Sequence, residues 1–280
     1  MLVSLAIISI LAGILVPVVS SVRAKAQNIK SMNNLKLIGC QLNVFSNDYQ
    51  NRYPPSVATV GTKDTWTWYD PRRIVGSKKR TPVLKRSMSA YLYEYIDPSI
   101  LYCPGAPDRY KYLEEMWEAQ DAWDNPETQI EADPMSGNYC FYWSYEGVLV
   151  TDDGRRLFRG PTTPAGGRRY SNVLATDFFN YGAGHDNPPP SVYASCERFE
   201  KAVSNATQIV APYWAGPAAS ETDKPQLTLK AVYTDGHVES YTSSDVVRLD
   251  VINNPKTGAT FDVGTKDSPG EFFIPRNAVP

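Results

Sequence analysis

Asp235 and His237 flank Gly236 in the stretch "AVYTDGHVES" (231–240), and a carboxylate beside an imidazole is the chain's nearest approach to an acid–base or metal-ligating pair. The same three residues also spell a turn. Asp-Gly accepts the positive φ angles of a tight hairpin, so Asp235 and Gly236 are read as the turn and His237 as the start of the return strand. The other histidine, His185, stands in "GAGHDNPPP" beside Asp186; two histidines in the whole chain leave no His-rich metal site. Asp152 and Asp153 are oxygen donors of the kind calcium takes, but no Asp-x-Asp-x-Asp-Gly spacing surrounds them, so no ligands are assigned and no cofactor is expected. Cys40, Cys103, Cys140 and Cys196 are too widely spaced for a zinc site; in an oxidising compartment two of the three in the body could pair, and the spacing leaves open which. "TWTWYDPRR" (65–73) and "APYW" (211–214) set aromatics beside polar groups, as sugar-binding faces do, and as core or subunit-interface aromatics also do. Gly-x-Ser-x-Gly, His-Glu-x-x-His and phosphate-loop patterns are all missing, so the sequence offers no catalytic centre and an enzyme is not expected.

Charge is unevenly placed. Residues 1–50 hold four basic side chains and one acid, a balance of +3; the whole chain is −2, so the remainder carries −5. An acidic body on a weakly basic stem does not look like a nucleic-acid binder, which would need a clustered basic face, and no nucleic-acid partner is expected. With 22 prolines and 18 tyrosines the body reads as short strands and ordered loops.

The elements that would position any site begin with the first 50 residues. Nothing from residue 1 to 22 is charged; Arg23, Lys25, Lys30 and Lys36 follow. A cleaved signal would need basic residues before the apolar run and a small-residue cleavage site, and neither is evident. About 20 apolar residues span a bilayer's hydrocarbon core. Leu2, Leu5, Ile7, Ile8, Leu11, Ile14, Leu15 and Val18, around Pro17, are therefore read as a membrane helix. Apolar residues then recur at Val22, Ala26, Ile29, Met32, Leu35, Ile38, Leu42, Phe45 and Tyr49, in steps of three or four. That spacing predicts a continuing amphipathic helix to about Asn47, where "NDYQNRYPPS" breaks it. At 1.5 Å per residue the whole would be on the order of 70 Å long, more than one membrane needs. Pro17 is expected to kink or melt the helix locally, which neighbouring helices can accommodate.

The stretch "LVSLAIISILAGILVPVVSSVRAKAQNIKSMNNLKLIG" resembles the N-terminal helix of type IV pilin-like proteins, in particular the pseudopilins of type II secretion systems. In that family a basic leader is removed after Gly, and the mature chain opens Phe-Thr-Leu-x-Glu, with its first residue N-methylated, directly ahead of such a run and its proline. The resemblance implies a native chain that begins a few residues upstream of Met1. The peptidase site, the methylated residue and the acidic residue that pairs with a neighbour's amine are not among the residues written here. "AVYTDGHVES" and "LYCPGAPD" (101–108) resemble segments of other pilin-like proteins, although the histidine that often precedes the first motif is Pro225 here. Some pseudopilins bind calcium in a C-terminal loop, so calcium is the one ion the resemblance allows. It also implies a single-pass inner-membrane protein with a periplasmic or extracellular head, self-assembly into a helical filament with other pilin-like subunits, and a secretion or pilus assembly machinery driven by a separate ATPase. Arg23, Lys25 and Lys30 after the span favour a cytoplasmic body by themselves; the family's basic leader would offset them.

Strand-like runs at 138–151, 171–179, 206–214, 227–236 and 237–242 and short helices at 83–96, 108–122 and 194–204 complete the reading. "DDGRR" (152–156) is a second hairpin signal. The expected fold is α+β and pilin-like: a stem helix (1–50), half membrane-embedded and half amphipathic, packed on the antiparallel sheet of a head (51–280). The stripe from Val22 to Tyr49 would face partly the head and partly adjacent stems. The expected function is that of a filament subunit. The alternative is a single-span anchored extracytoplasmic binding protein, for carbohydrate among other ligands, that never polymerises.

Overall fold

The computed structural model describes residues 2–59, 71–76, 87–102, 104, 114, 117–118, 135–137, 139–151, 154–178, 180–183, 191–193, 228–254, 257–261 and 271–278. It opens with one long helix, α1 (Leu2–Asp48). Next come β1 (Arg73–Val75), a single-turn α2 (Ser89–Leu92), β2 (Met135–Ser136), β3 (Tyr139–Phe141), β4 (Glu146–Thr151), β5 (Gly154–Arg159) and β6 (Val173–Asp177). After them lie β7 (Asn180–Ala183), β8 (Ser191–Tyr193), β9 (Thr228–Tyr233), β10 (Val238–Thr242) and β11 (Val246–Asp250). The last strands are β12 (Ile252–Asn254), β13 (Ala259–Thr260) and β14 (Glu271–Pro275). The fold is α+β, and the strand pairs among the described residues are antiparallel.

The strands form two principal sheets, one in the order β10-β9-β6-β3 and one in the order β5-β4-β11-β14-β7-β8. Strand alternation in the four-stranded sheet shows why it lies in the middle. Leu229, Ala231 and Tyr233 of β9 share a core with Leu149, Phe158, Leu249, Phe272 and Ile274 of the six-stranded sheet. Val232, pointing the other way, joins Leu35, Ile38, Leu42 and Phe45 of α1 in a second core, with Tyr139 and Phe141 of β3 and Leu174 of β6. Helix, sheet and sheet are stacked in three layers. β9 is thus covered on both faces, with Leu229, Ala231 and Tyr233 buried on one and Lys230 and Val232 on the other. Gly39 marks the closest approach of helix to sheet, since a Cβ there would sit 2.7 Å from Val232 Cγ2.

The helix runs unbroken through Pro17, so of the kink or local melting that the sequence reading expected there, the melting does not occur. A proline removes one i→i−4 hydrogen bond, and the bonds on either side can carry the helix past it. The helix closes with Gln50 and Asn51 in the left-handed region (φ 55° and 57°). The Asn51 N–H donates back to the Ser46 carbonyl at 2.8 Å, the pattern in which two left-handed residues satisfy orphan carbonyls at a helix end.

Two expectations are corrected. The run 138–151 is not one strand: β3 belongs to the four-stranded sheet and β4 to the six-stranded one. The chain crosses between layers at Tyr142–Tyr145, where Ser144 takes φ 53° and its hydroxyl donates to the Pro54 carbonyl at 2.9 Å. The six-stranded sheet covers the face of the four-stranded one that lies away from the helix. Of the helix expected over 83–96, residues 83–86 lie outside the described residues, and within 87–96 the helix is Ser89–Leu92, followed by turns. The run at 206–214 and the helix at 194–204 lie outside the described residues, as does most of 108–122.

Candidate assembly surface

α1 has two apolar faces. Ser31, Asn34, Leu35, Ile38, Leu42, Phe45 and Ser46 are buried against the head. Leu37 and Val44 each follow a buried leucine by two residues, which places them about 200° round the helix, on the far side. Leu15, Val18, Val19, Val22, Ile29, Leu37 and Val44 are between 45% and 62% exposed. Tyr49, just past the helix, is 51% exposed and stacks on Phe45 with ring centroids 4.1 Å apart.

The single stripe read from the sequence is therefore divided. Leu35, Ile38, Leu42 and Phe45 are brought together under the head, whereas Val22 and Ile29 lie uncovered. The reason is the helical repeat: each three-residue step lags a full turn by about 60°, and 26-29-32-35-38 takes four such steps in succession. The stripe winds round the helix from the far face to the head face. The side chains of Leu2, Leu5, Ile7, Ile8, Leu11, Ile14 and Pro17, on which the membrane reading rested, lie outside the described residues. Among the described residues, no helix is long and apolar enough to cross a membrane.

Beneath the helix sits a polar joint that the sequence reading missed. Lys230 Nζ and Asp177 Oδ2 are 2.8 Å apart, with both side chains at most 1% exposed. The Ser31 hydroxyl donates to Asp177 Oδ1 at 3.2 Å and lies 3.1 Å from the Tyr139 hydroxyl. Asn34 Nδ2 donates to the Tyr102 carbonyl at 3.2 Å, and its other contact is the Tyr139 hydroxyl at 3.5 Å. Burial, with the Asp177 charge nearby, drives the Tyr139 phenol well above its usual range, so it stays protonated. Strand β9 held the clue: apolar residues on both of its faces mean a strand covered on both sides, so Lys230 within it needed a buried carboxylate.

Nearer the helix end the joint is solvent-facing. Asn43 Nδ2 donates to the Thr234 carbonyl at 2.9 Å, and the Tyr53 hydroxyl donates to Asn43 Oδ1 at 2.7 Å. The hairpin motif is thus tied to the stem. Its turn is Thr234–Asp235–Gly236: the Gly236 N–H donates to the Tyr233 carbonyl and the Tyr233 N–H to the His237 carbonyl. Gly236 takes φ 85°, as a three-residue hairpin loop requires, whereas Asp235 does not adopt positive φ. Asp235 acts through its carboxylate instead, accepting from the His237 N–H at 3.1 Å, with the His237 ring Nδ1 2.5 Å away. The imidazole stacks on Tyr233 with centroids 4.2 Å apart. Burial pushes the Asp235 carboxyl up, but the bonds from His237 outweigh it and the carboxyl is held below its ordinary value. This geometry builds a turn.

The Tyr95 hydroxyl donates to Asp48 Oδ2 at 2.9 Å, beside the Phe45–Tyr49 stack. That bond, first among the causes, with slight burial and the Asp48 charge behind it, raises the phenol to about 12. The folded chain favours the protonated phenol, so the contribution is complete below the ordinary value of about 10 and is lost as pH rises through about 12. Tyrosine-ring NMR is expected to show Tyr95 titrating near that value, and Asp48→Asn to move it at least halfway back toward about 10.

His185, Asp152, Asp153, Cys103, Cys196 and the "APYW" segment lie outside the described residues. Cys140 is buried in β3 and Cys40 is exposed on α1. Among the described residues no group of three or more His, Cys, Asp or Glu is placed to hold a metal ion. Comparison with protein-family models, curated proteins and solved structures gives no match.

Proposed function

We propose that this chain is a structural subunit, a pseudopilin or pilin-like protein, of a type II secretion or type IV pilus-type filament. The apolar half of α1 holds it in the inner membrane, and α1 joins it to its neighbours in the filament. One observation carries the reading: α1 has two opposed apolar faces, of which the head covers only one. A helix that served only to carry its own head needs one stripe. The uncovered face, with Val22, Ile29, Leu37 and Val44, is what a neighbouring stem would bury, at about 25 cal/mol per Å² of apolar area removed from water. The resemblance of residues 2–39 to the pilin stem supports the same reading.

The test replaces Ile29 and Val44 by aspartate, together, in the full-length protein in its native membrane. Both are exposed, so the head should keep its stability within about 0.5 kcal/mol, as urea unfolding would report. Filaments sheared from cells are expected to fall at least tenfold in yield. Filaments undiminished in yield would overturn the reading. A chain found only as a membrane-associated monomer, before and after substitution, would favour the anchored binding protein.

A further inference from the structure

The edge of the six-stranded sheet carries a cleft away from the stem. It lies on the layer that does not contact the stem, between edge strand β5 and the loop that folds back along it. The Ser171 N–H donates to the Arg159 carbonyl at 2.8 Å and so fixes that loop against the strand. The cleft has a volume of about 260 Å³, and its lining includes Arg156, Leu157, Arg159, Arg168, Arg169 and Ser171.

The charge here runs against the rest of the head. Residues 154–172 contain five arginines and no acid, although residues 51–280 as a whole carry −5; outside this segment the head therefore carries −10. Arg155, the fifth, is turned to Asp250 at 2.9 Å, so four arginines face the cleft. Among the described residues Arg159 has an acid beside it, Glu146, whose Oε1 lies 3.6 Å from Arg159 Nε with both side chains 38% exposed. A rim pair at that distance and exposure neutralises little. Arg159 Nε is itself shielded from solvent and has no hydrogen-bond partner among the described residues. Every basic residue lining the cleft is an arginine, and a guanidinium fork matches the paired oxygens of carboxylate, sulfate or phosphate, which an ammonium does not. Leu157, 48% exposed, adds an apolar wall. Small-molecule sites commonly run from about 300 to 1,000 Å³, so this cleft suits one charged unit of a longer chain better than a whole cofactor.

We propose that this cleft binds oxyanion groups, and that its ligand is an acidic polysaccharide whose sulfate or carboxylate groups seat among Arg156, Arg159, Arg168 and Arg169. The site is independent of the filament reading and can stand or fall without it.

The test uses the full-length protein in detergent, titrated with dextran sulfate, neutral dextran and sodium sulfate. Dextran sulfate is expected to bind, with affinity falling steeply as salt is raised. Arg168→Gln combined with Arg169→Gln should weaken it at least tenfold, Arg156→Gln at least threefold, and Arg23→Gln, on an exposed arginine of the stem helix, not measurably. Thermal unfolding of each variant separates lost binding from lost fold, and Arg156→Gln serves if the double variant unfolds. Sodium sulfate binding as tightly per sulfate as the polymer would keep the oxyanion site and overturn the polysaccharide. Equal binding of neutral dextran, equal binding by the arginine variants, or no binding would overturn the site.

Discussion

Lys230→Met is expected to destabilise the folded chain by about 3–5 kcal/mol, because it leaves the Asp177 carboxylate uncompensated in a dry interior. Asp177 is fully buried, and without Lys230 the one hydrogen bond donated to its carboxylate among the described residues is that of Ser31, at 3.2 Å. Joining the substitution with Asp177→Leu removes both charges. The pair of changes is expected to recover most of the loss, since apolar replacement of a buried ion pair is often neutral or better. Urea unfolding followed by near-UV circular dichroism would measure both. A single substitution costing under about 1 kcal/mol would mean that water reaches the pair. A double variant no better than the single would put the loss in the contacts of Ser31 and Tyr139 with the helix.

Gly160→Ala is expected to cost about 3 kcal/mol or more, for a different reason. A Cβ at Gly160 would stand 1.5 Å from the Tyr142 carbonyl oxygen, and backbone cannot move aside as a side-chain end can. The Gly160 N–H donates to the Tyr145 carbonyl at 2.8 Å, and the Ser144 N–H to the Pro161 carbonyl at 3.0 Å. The residue therefore clamps the crossing by which the chain leaves one sheet for the other. Gly258→Ala is the comparison: φ is 73° there and the space is open, so only the left-handed backbone is penalised, by about 1–2 kcal/mol. Equal losses at the two positions would show that the crossing yields.

The stem helix was legible because an uncharged run followed by three- and four-residue steps has few other readings. That the head would cover only part of its stripe was legible too; which residues fall on each side was not, because the stripe drifts gradually and only the place where the head docks decides which part is covered. Strands β6, β9 and β10 could be read from alternation bounded by turn residues. β7 and β8 could not: they are four and three residues long, too short for periodicity to register. The run 138–151 looked continuous because each of its halves is buried, and the left-handed Ser144 that separates them has no distinctive spelling. The hairpin around Gly236 was legible, and the use of Asp235 as an acceptor was the detail that spelling left out. The arginine cleft joins a strand edge and a loop, so only the fold brings its two pairs of arginines together.

The ties between stem and head have a mechanical consequence. They run from Ser31 through Asn34 and Asn43 to Asp48, a span of about 26 Å along the helix axis. Tension drawn along that axis loads all of them at once, in shear, and the strain is shared. Tension that lifts the N-terminal half sideways reaches the ties at Ser31 first and opens the joint like a zip, one contact after another. The joint is strong against tension along the stem and weak against tension that would peel the stem away.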